Sequence, residues 1–156
     1  MSRFANSGAV VAFIALSGLV LAAGCVTRTV PVTPPPAATA SAVQPTLIVE
    51  QFLRAANAND LEGMGRLFGT SDGSTFRLDP RSIVEQRMFA LASVLRHQDF
   101  SIERAAPVPG RSQEAVQVFV RLLMNGQWIP VPFTVVTGRD GWVVEQFDIE
   151  AITNRP

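Results

Sequence analysis

The sequence predicts an α+β fold in which three helices pack on an antiparallel sheet, after a signal peptide and a proline-rich tether. Apolar residues recur with helical spacing from about Thr46 to Leu95, and from Asp99 onward they alternate with polar residues, as in strands. Asn125-Gly126 separates two alternating runs, which is the strongest short-range signal for a β-hairpin. The helices therefore precede the sheet along the chain, as expected for this fold class.

The N-terminus is typical of an export signal. A short polar start with Arg3 precedes an apolar run that ends at Ala23 and is shorter than the ~20 residues that span a bilayer. Ala23, Gly24 and the single cysteine, Cys25, resemble the bacterial lipoprotein box, in which small residues precede a cysteine that is lipid-modified. Ala22 departs from the pattern, which most often has leucine there. We predict a signal peptide over residues 1–24 and lipidation of Cys25; an ordinary cleaved signal and an uncleaved anchor are the alternatives.

The resemblance also implies a location and an organisation. In similar Gram-negative lipoproteins an Asp after the cysteine signals inner-membrane retention, and here Val26 follows. This implies an exported protein, anchored in the outer membrane of the cell envelope and facing the periplasm. Residues 25–45 are rich in Pro, Thr and Ala and predict an extended linker that rises about 3.1 Å per residue. Residues 46–156 then form one folded domain of about 110 residues.

Three helices are predicted before the sheet. The first begins near Thr46, and the second is capped by Asp60. The third opens either at Asp79-Pro80 or through the capping box Ser82 to Glu85, and Thr75 to Leu78 predicts a short strand. The apolar stripes are Val49, Phe52, Leu53 and Ala56; Leu61, Met64, Leu67 and Phe68; and Val84, Met88, Leu91 and Leu95.

Two hairpins predict which side chains share a side of the sheet. The Asn125-Gly126 turn places Val116, Val118, Val120, Leu122, Val131, Phe133 and Val135 on one side, which the helices can cover. A second turn from Gly138 to Gly141 adds Trp142 and Val144 to that side, followed by Gln146 and Asp148. Pro132 lacks the N–H that this pairing requires, so we expect a bulge or an end of pairing near Pro130 to Pro132.

The opposite side of the sheet, here called the outer face, is the side that carries Phe119, Leu123 and Trp128. The predicted register leaves it without helices, and it would expose more apolar surface than a monomer usually shows. We therefore expect an interface with a second copy, as a homodimer, or with another envelope protein. Its predicted residues are Phe119, Leu123, Trp128, Val136 and Phe147. Cover by the tether or by the N-terminal segment is the alternative.

Element order, the helix pair from Val49 to Phe68 and the closing Gly141-Trp142-Val143-Val144 resemble the nuclear transport factor 2-like (cystatin-like) α+β cone. The resemblance spans roughly Thr46 to Thr153. It implies a curved, cone-like sheet around the helices, with a pocket at the wide end. The expected lining is Val131, Phe133, Trp142, Val144, Gln146 and Asp148. This architecture serves isomerases, cyclases, dehydratases and proteins without catalysis, so it does not by itself give a function.

Composition excludes several classes of partner and site. The chain has 13 basic residues, all arginine, and 13 acidic residues, so a nucleic-acid backbone is not an expected partner. One cysteine, assigned to lipid, allows no disulfide and no thiolate metal site, and one histidine allows no multi-histidine site. We therefore expect no metal and no cofactor beyond the covalent lipid on Cys25, with membrane lipid as the partner of that residue.

Three functions remain open, and the first is favoured. The domain is a non-catalytic interaction or structural module, or a binding protein that holds a small hydrophobic ligand or peptide in the cone pocket. The third hypothesis is an enzyme similar to ketosteroid isomerases or polyketide cyclases, with Asp148 as general base, Gln146 as donor and Arg121 or His97 assisting. Against catalysis, the chain has no Tyr to act as the phenolic donor of those enzymes, and Arg121 falls on the outer face. His97 follows the third helix, where a cation-compatible residue is common.

Overall fold

The computed structural model describes the backbone of residues 37–154 and the side chains of residues 44–154. It shows an α+β fold in which the last four strands form one antiparallel sheet in chain order, which confirms the predicted class. The elements are α1 (Ala37–Ala58), α2 (Leu61–Leu67), β1 (Gly69–Thr70), β2 (Gly73–Ser74), α3 (Thr75–Leu78), α4 (Arg81–Val94), β3 (Asp99–Pro107), β4 (Ala115–Met124), β5 (Gln127–Gly138), β6 (Gly141–Phe147) and α5 (Glu150–Thr153). The predicted signal peptide, Cys25 and the tether up to residue 36 lie outside the described residues. Within the described range, no helix has both the length and the apolar character needed to cross a bilayer.

Helix α1 starts earlier than the sequence predicts. It begins at Ala37 and contains Pro45, whereas the sequence predicts a start near Thr46, which is a plausible N-cap residue. The segment before Pro45 is rich in alanine, the residue with the highest helix propensity. The predicted start was therefore wrong. Downstream, Val49 and Phe52 are fully buried, as the predicted stripe requires.

The second predicted helix begins as expected, the third begins differently, and Thr75–Leu78 is helical and not a strand. Asp60 caps α2, since its Oδ1 accepts the N–H of Gly63 at 2.9 Å. Pro80 occupies the N-cap position of α4 and no side chain caps that helix; the carboxylate of Asp79 instead accepts from Arg87 at 2.8 Å. Thr75–Leu78 forms the helical turn α3 and not a strand, because the Thr75 N–H and hydroxyl bond the carbonyls of the α2 region.

The β4–β5 hairpin has the register that the sequence predicts. Asn125 and Gly126 both adopt positive φ, at 53° and 78°, and Met124 pairs with Gln127 next to the turn. Every predicted pair from there to Val116 and Val135 is present. Strand β3 joins the free side of β4, with a bulge at Glu103 that the sequence analysis did not anticipate.

The β5–β6 hairpin departs from the prediction after Val144. Gly138 pairs with Gly141 as expected, but an extra residue, Glu145, shifts the register between Thr134 and Val135. Phe147 therefore lies opposite Phe133, on the core side. The prediction that placed Phe147 on the outer face, and Gln146 and Asp148 on the core side, is wrong for this reason.

The pairing between β5 and β6 ends next to Pro132. The sequence predicts either a bulge or an end of pairing near Pro130 to Pro132, and the structure shows the second. The ladder stops at Phe133, so the missing N–H of Pro132 is not needed. Its carbonyl accepts the N–H of Asp148 at 3.2 Å. The bulge itself lies further along, at Glu145, and not at Pro130 to Pro132.

The core side of the sheet is closed by an aromatic cluster. The ring of Phe52 stacks on Phe68 at 5.8 Å and lies 6.4 Å from Phe147, which stacks on Phe133 at 5.3 Å, all between ring centroids. The fully buried residues around it include Leu53, Met64, Met88, Leu95, Val118, Leu122, Val131 and Val144. Side chains thus fill this part of the space between helices and sheet.

Candidate interaction surface

The outer face is built from four adjacent strands and divides into three zones along their length. Because side chains alternate along each strand, one set from each strand points away from the helices. The bulges at Glu103 and Glu145 decide which residues of β3 and β6 belong to this set. From one end to the other, the members on the two central strands are Ala115, Gln117, Phe119, Arg121 and Leu123 on β4 and, opposite them in the same order, Val136, Thr134, Pro132, Pro130 and Trp128 on β5.

The first zone is covered. Val136 forms a small apolar cluster with Ala115 and Val143, against which Val108 from the loop after β3 packs. Val136 is only 1% exposed, so this predicted interface residue is on the outer face but is already buried. The loop is held by Arg111, whose guanidinium bonds the Glu145 carboxylate at 2.9 and 3.1 Å. That hydrogen bond raises the pKa of Arg111.

The second zone is a polar groove in the middle of the face. Gln117, Pro132, Thr134, Gln146, Phe147 and Asp148 line it, and its volume is about 310 Å³. Asp148 is exposed, and its Oδ1 accepts the N–H of Ala151 at 3.0 Å at the start of α5. The groove is open and shallow, and one oxygen of its carboxylate already accepts the Ala151 N–H.

The third zone combines aromatic rings with arginines. The guanidinium of Arg104 lies 3.6 Å from the ring centroid of Phe119, and that of Arg121 lies 5.6 Å from Trp128. Arg121 also pairs with Glu103 at 2.5 Å. Trp128 is 45% exposed, and Phe119 and Leu123 are half-buried. These three predicted interface residues lie together, as the register predicts.

Arg104 is the residue of this surface that the sequence analysis missed. Simple alternation after Phe100 and Ile102 would place Arg104 on the core side. The bulge at Glu103 turns it to the outer face, opposite Phe119. A charge at a position that alternation assigns to the core was the available signal, since bulges often redirect such side chains.

The candidate catalytic residues are only partly brought together. Gln146 and Asp148 share the groove, whereas Arg121 is engaged by Glu103 on the far side of the face. His97 lies at the start of β3, where the neighbouring Gln98 N–H donates to the Leu123 carbonyl. Asp148 lies beside Pro132, in the groove on the outer face, whereas His97 lies against α1. The four candidate catalytic residues therefore do not form one site; only Gln146 and Asp148 are neighbours.

His97 is buried in a structural contact with α1. Its Nδ1 lies 2.7 Å from the Leu95 carbonyl, its ring edge contacts Phe100, and its Nε2 has no partner within residues 44–154. The Asn57 side chain makes two hydrogen bonds to the backbone of His97: its amide nitrogen donates to the His97 carbonyl at 3.1 Å, and its amide oxygen accepts the His97 N–H at 3.2 Å.

The six residues predicted to line one pocket do not converge. Val131, Phe133 and Val144 are fully buried in the core, and Trp142 packs against it. Gln146 and Asp148 lie in the groove on the opposite side. A separate cleft of about 470 Å³ at the covered end is lined by Ser71, Arg111, Gln113, Glu114, Val136 and Thr137. In the part of the chain that the structure describes, no three His, Cys, Asp or Glu side chains are grouped so that they could hold a metal ion.

Comparison with known proteins gives a distant likeness to solved structures. No family model and no curated protein matches the sequence. Among solved structures, the phospholipid-binding protein from Ralstonia solanacearum, determined in complex with a phospholipid, is similar over 72% of this chain and 82% of that chain. The TM-score is 0.34 and the sequence identity 15%, so the likeness carries no argument about this chain.

Proposed function

We propose that this chain is a membrane-anchored lipoprotein of the bacterial envelope whose folded domain is a non-catalytic interaction module. Cys25 carries the lipid, and Val26 after it favours the outer membrane, with the domain facing the periplasm. Two or three acyl chains, at about 0.8 kcal/mol per buried CH₂, suffice to hold such a domain on a bilayer. The nuclear transport factor 2-like cone remains the fold family that we propose for the domain.

One observation carries the proposal for the domain. Outside the covered end, the outer face presents Trp128, Phe119 and Leu123 with two arginines against the rings. Aromatic residues and Arg are enriched at protein interfaces, and Lys and Glu are depleted there. The core side, by contrast, is filled by the Phe52 cluster. The outer face is therefore the surface on which a partner would dock.

Site-specific photo-crosslinking in the native membrane tests this function. A photoreactive phenylalanine analogue replaces Trp128 in the full chain, and a matched variant carries it at Phe89, which is 61% exposed on α4. We expect an adduct at position 128 with a yield several-fold above that at position 89. Equal yields at the two positions, or none at 128, would contradict the proposal.

The anchor has its own test. Mass spectrometry of the mature N-terminal peptide is expected to show acyl chains on Cys25, and Cys25→Ser is expected to move the chain out of the membrane fraction. An unmodified Cys25 in the mature protein would rule out the lipoprotein assignment, whatever the crosslinking shows.

A further inference from the structure

We propose that Asn125 is a site of spontaneous covalent modification, to aspartate and isoaspartate, and that Gln98 slows this reaction in the folded chain. The proposal does not depend on the lipid anchor or on the outer face. It comes from a hydrogen bond between the β4–β5 turn and a side chain outside the hairpin, which the register of the hairpin does not require.

The turn exposes a reactive pair of residues to solvent. In an Asn-Gly pair, the backbone nitrogen of the glycine can approach the side-chain amide of the asparagine, because glycine has no Cβ to hinder it. Asn125 and Gly126 are both exposed, and their φ angles of 53° and 78° are both positive. Water can therefore reach the amide group as well as the nitrogen that would attack it.

The reaction consumes water and releases ammonia. The Gly126 nitrogen forms a bond to Cγ of Asn125 while the Cγ–Nδ2 bond breaks, and the proton of the Gly126 N–H leaves with the ammonia. Water then adds to one of the two carbonyl carbons of the cyclic imide. Ring opening at Cγ gives aspartate, and ring opening at the backbone carbonyl gives isoaspartate, in which the backbone runs through the former side chain.

Gln98 holds the proton that this reaction must remove. The Gly126 N–H donates to Oε1 of Gln98 at 3.0 Å. In a two-residue turn the closing hydrogen bond uses the N–H of the following residue, here Gln127, so the Gly126 N–H would otherwise face water. The attacking nitrogen can lose its proton only after the hydrogen bond to Gln98 breaks, and the rate of reaction therefore falls.

Gln98 is placed next to the turn by its own backbone. It lies in the connection between α4 and β3, and its N–H donates to the Leu123 carbonyl at 2.7 Å. Gly126 is 28 residues away in sequence. The side chain thus acts on the turn from outside the hairpin, and its removal leaves the sequences of both strands and of the turn intact.

Modification would disturb the strands that the turn connects. Isoaspartate lengthens the backbone by a methylene carbon and adds a carboxylate between β4 and β5. The pairs nearest the turn are Met124 with Gln127 and Leu123 with Trp128. A longer turn no longer matches the two-residue connection on which this register depends. The hydrogen bond from Gly126 to Gln98 therefore preserves the pairing of the two central strands over time.

Timed incubation and peptide mass spectrometry test the role of Gln98. The full chain is kept at mildly alkaline pH and then cleaved after arginine, which releases peptide 122–139 with Asn125 as its single asparagine. Conversion is measured from the amide-to-acid mass increase and from the separation of the aspartate and isoaspartate forms. We expect Gln98→Ala to raise the rate about fivefold, as the loss of one hydrogen bond predicts. Gln98→Glu keeps an acceptor and should stay within about twofold of the parent.

The controls separate this hydrogen bond from a general loosening of the fold. Gln86→Ala truncates an exposed glutamine on α4 and should leave the rate at Asn125 unchanged. Peptide 55–66 of the same digest contains Asn57 and Asn59, neither of which precedes glycine, and their conversion should be equal in all variants. Incubation in concentrated urea gives the rate in the unfolded chain, and the folded parent should react at least about tenfold more slowly.

Four results would overturn the inference. Gln98→Ala could convert Asn125 no faster than the parent does, or Gln98→Glu could convert it as fast as Gln98→Ala. The folded parent could react as fast as the chain in urea, which would mean that the turn gives no protection. A parallel rise at Asn57 in Gln98→Ala would assign the effect to loosening of the fold. None of these results bears on the proposed function, which the crosslinking tests separately.

Discussion

At the scale of single residues, the clearest long-range contact is the one between Asn57 and His97. The amide of Asn57, at the end of α1, makes two hydrogen bonds to the backbone of His97, and the imidazole is held by the Leu95 carbonyl. The His97 ring is buried and its Nδ1 lies 2.7 Å from the Leu95 carbonyl, so the ring has little freedom to move. The contact therefore fixes the end of α1 against the connection from α4 to β3.

Removing the Asn57 amide should cost measurable stability. Asn57→Ala removes two hydrogen bonds to the His97 backbone, and because Asn57 is exposed, water can reach the freed groups; we expect the free energy of unfolding to fall by about 1 kcal/mol. Asn57→Asp keeps the acceptor and loses the donor, so its cost should be smaller. Urea denaturation followed by circular dichroism measures both, with Asn154→Ala as an exposed control. Equal stabilities for Asn57→Ala and Asn154→Ala would contradict this role.

Sequence reasoning could place His97 but not its contact. Its position after the third helix was predicted from the apolar stripe that ends at Leu95, and α4 does end there. Its partner is 40 residues away in sequence, and no local pattern links the two positions. Arg104 shows the same limit, because only the bulge at Glu103 brings it to Phe119.

At the scale of elements, the packing of α2 on α4 depends on the absence of a side chain at Gly65. A Cβ built there would lie 2.5 Å from Cγ1 of Val84, a buried, β-branched residue that cannot easily move away. The helix interior alone would favour alanine over glycine by about 1 kcal/mol. The two effects therefore have opposite signs at this position.

We expect packing to outweigh propensity in Gly65→Ala. Overpacking of a core contact costs about 1–3 kcal/mol, so the variant should unfold at a lower urea concentration than the parent. Adding Val84→Ala should relieve the contact, and the double variant should lose less than the sum of the single losses. A stabilised Gly65→Ala, or strict additivity, would show that α2 and α4 do not approach as closely as described.

The two hairpins show what local sequence can and cannot specify. Asn125-Gly126 fixed the β4–β5 register because a two-residue turn with positive φ at both positions leaves little choice. The second hairpin began as predicted, but the bulge at Glu145 depends on the helices. It brings Phe147 against Phe52 and Phe133, which buries an aromatic ring. The alternation of polar and apolar residues within β6 does not indicate the stabilisation that comes from burying the Phe147 ring.

At the scale of the whole molecule, the sheet has one closed side and one open side. The closed side holds α1, α2 and α4 through a continuous apolar cluster. On the open side, the loop around Val108 covers one end, and the Arg104 and Trp128 region stays accessible. Under the proposed function, stability and recognition therefore rest on different side chains, and a substitution on one side should leave the other property unchanged.

A matched pair of aromatic substitutions tests this division. Phe147→Ala removes a buried ring that contacts Phe52 and Phe133, and we expect the free energy of unfolding to fall by about 3–5 kcal/mol. That is a large part of the roughly 5–15 kcal/mol that stabilise a typical domain. Trp128→Ala removes a side chain that is 45% exposed, so its cost should stay within about 1 kcal/mol. Urea denaturation of the full chain measures both values. Similar losses for the two variants would mean that Phe147 is not in the core, and that the register without the Glu145 bulge is the correct one.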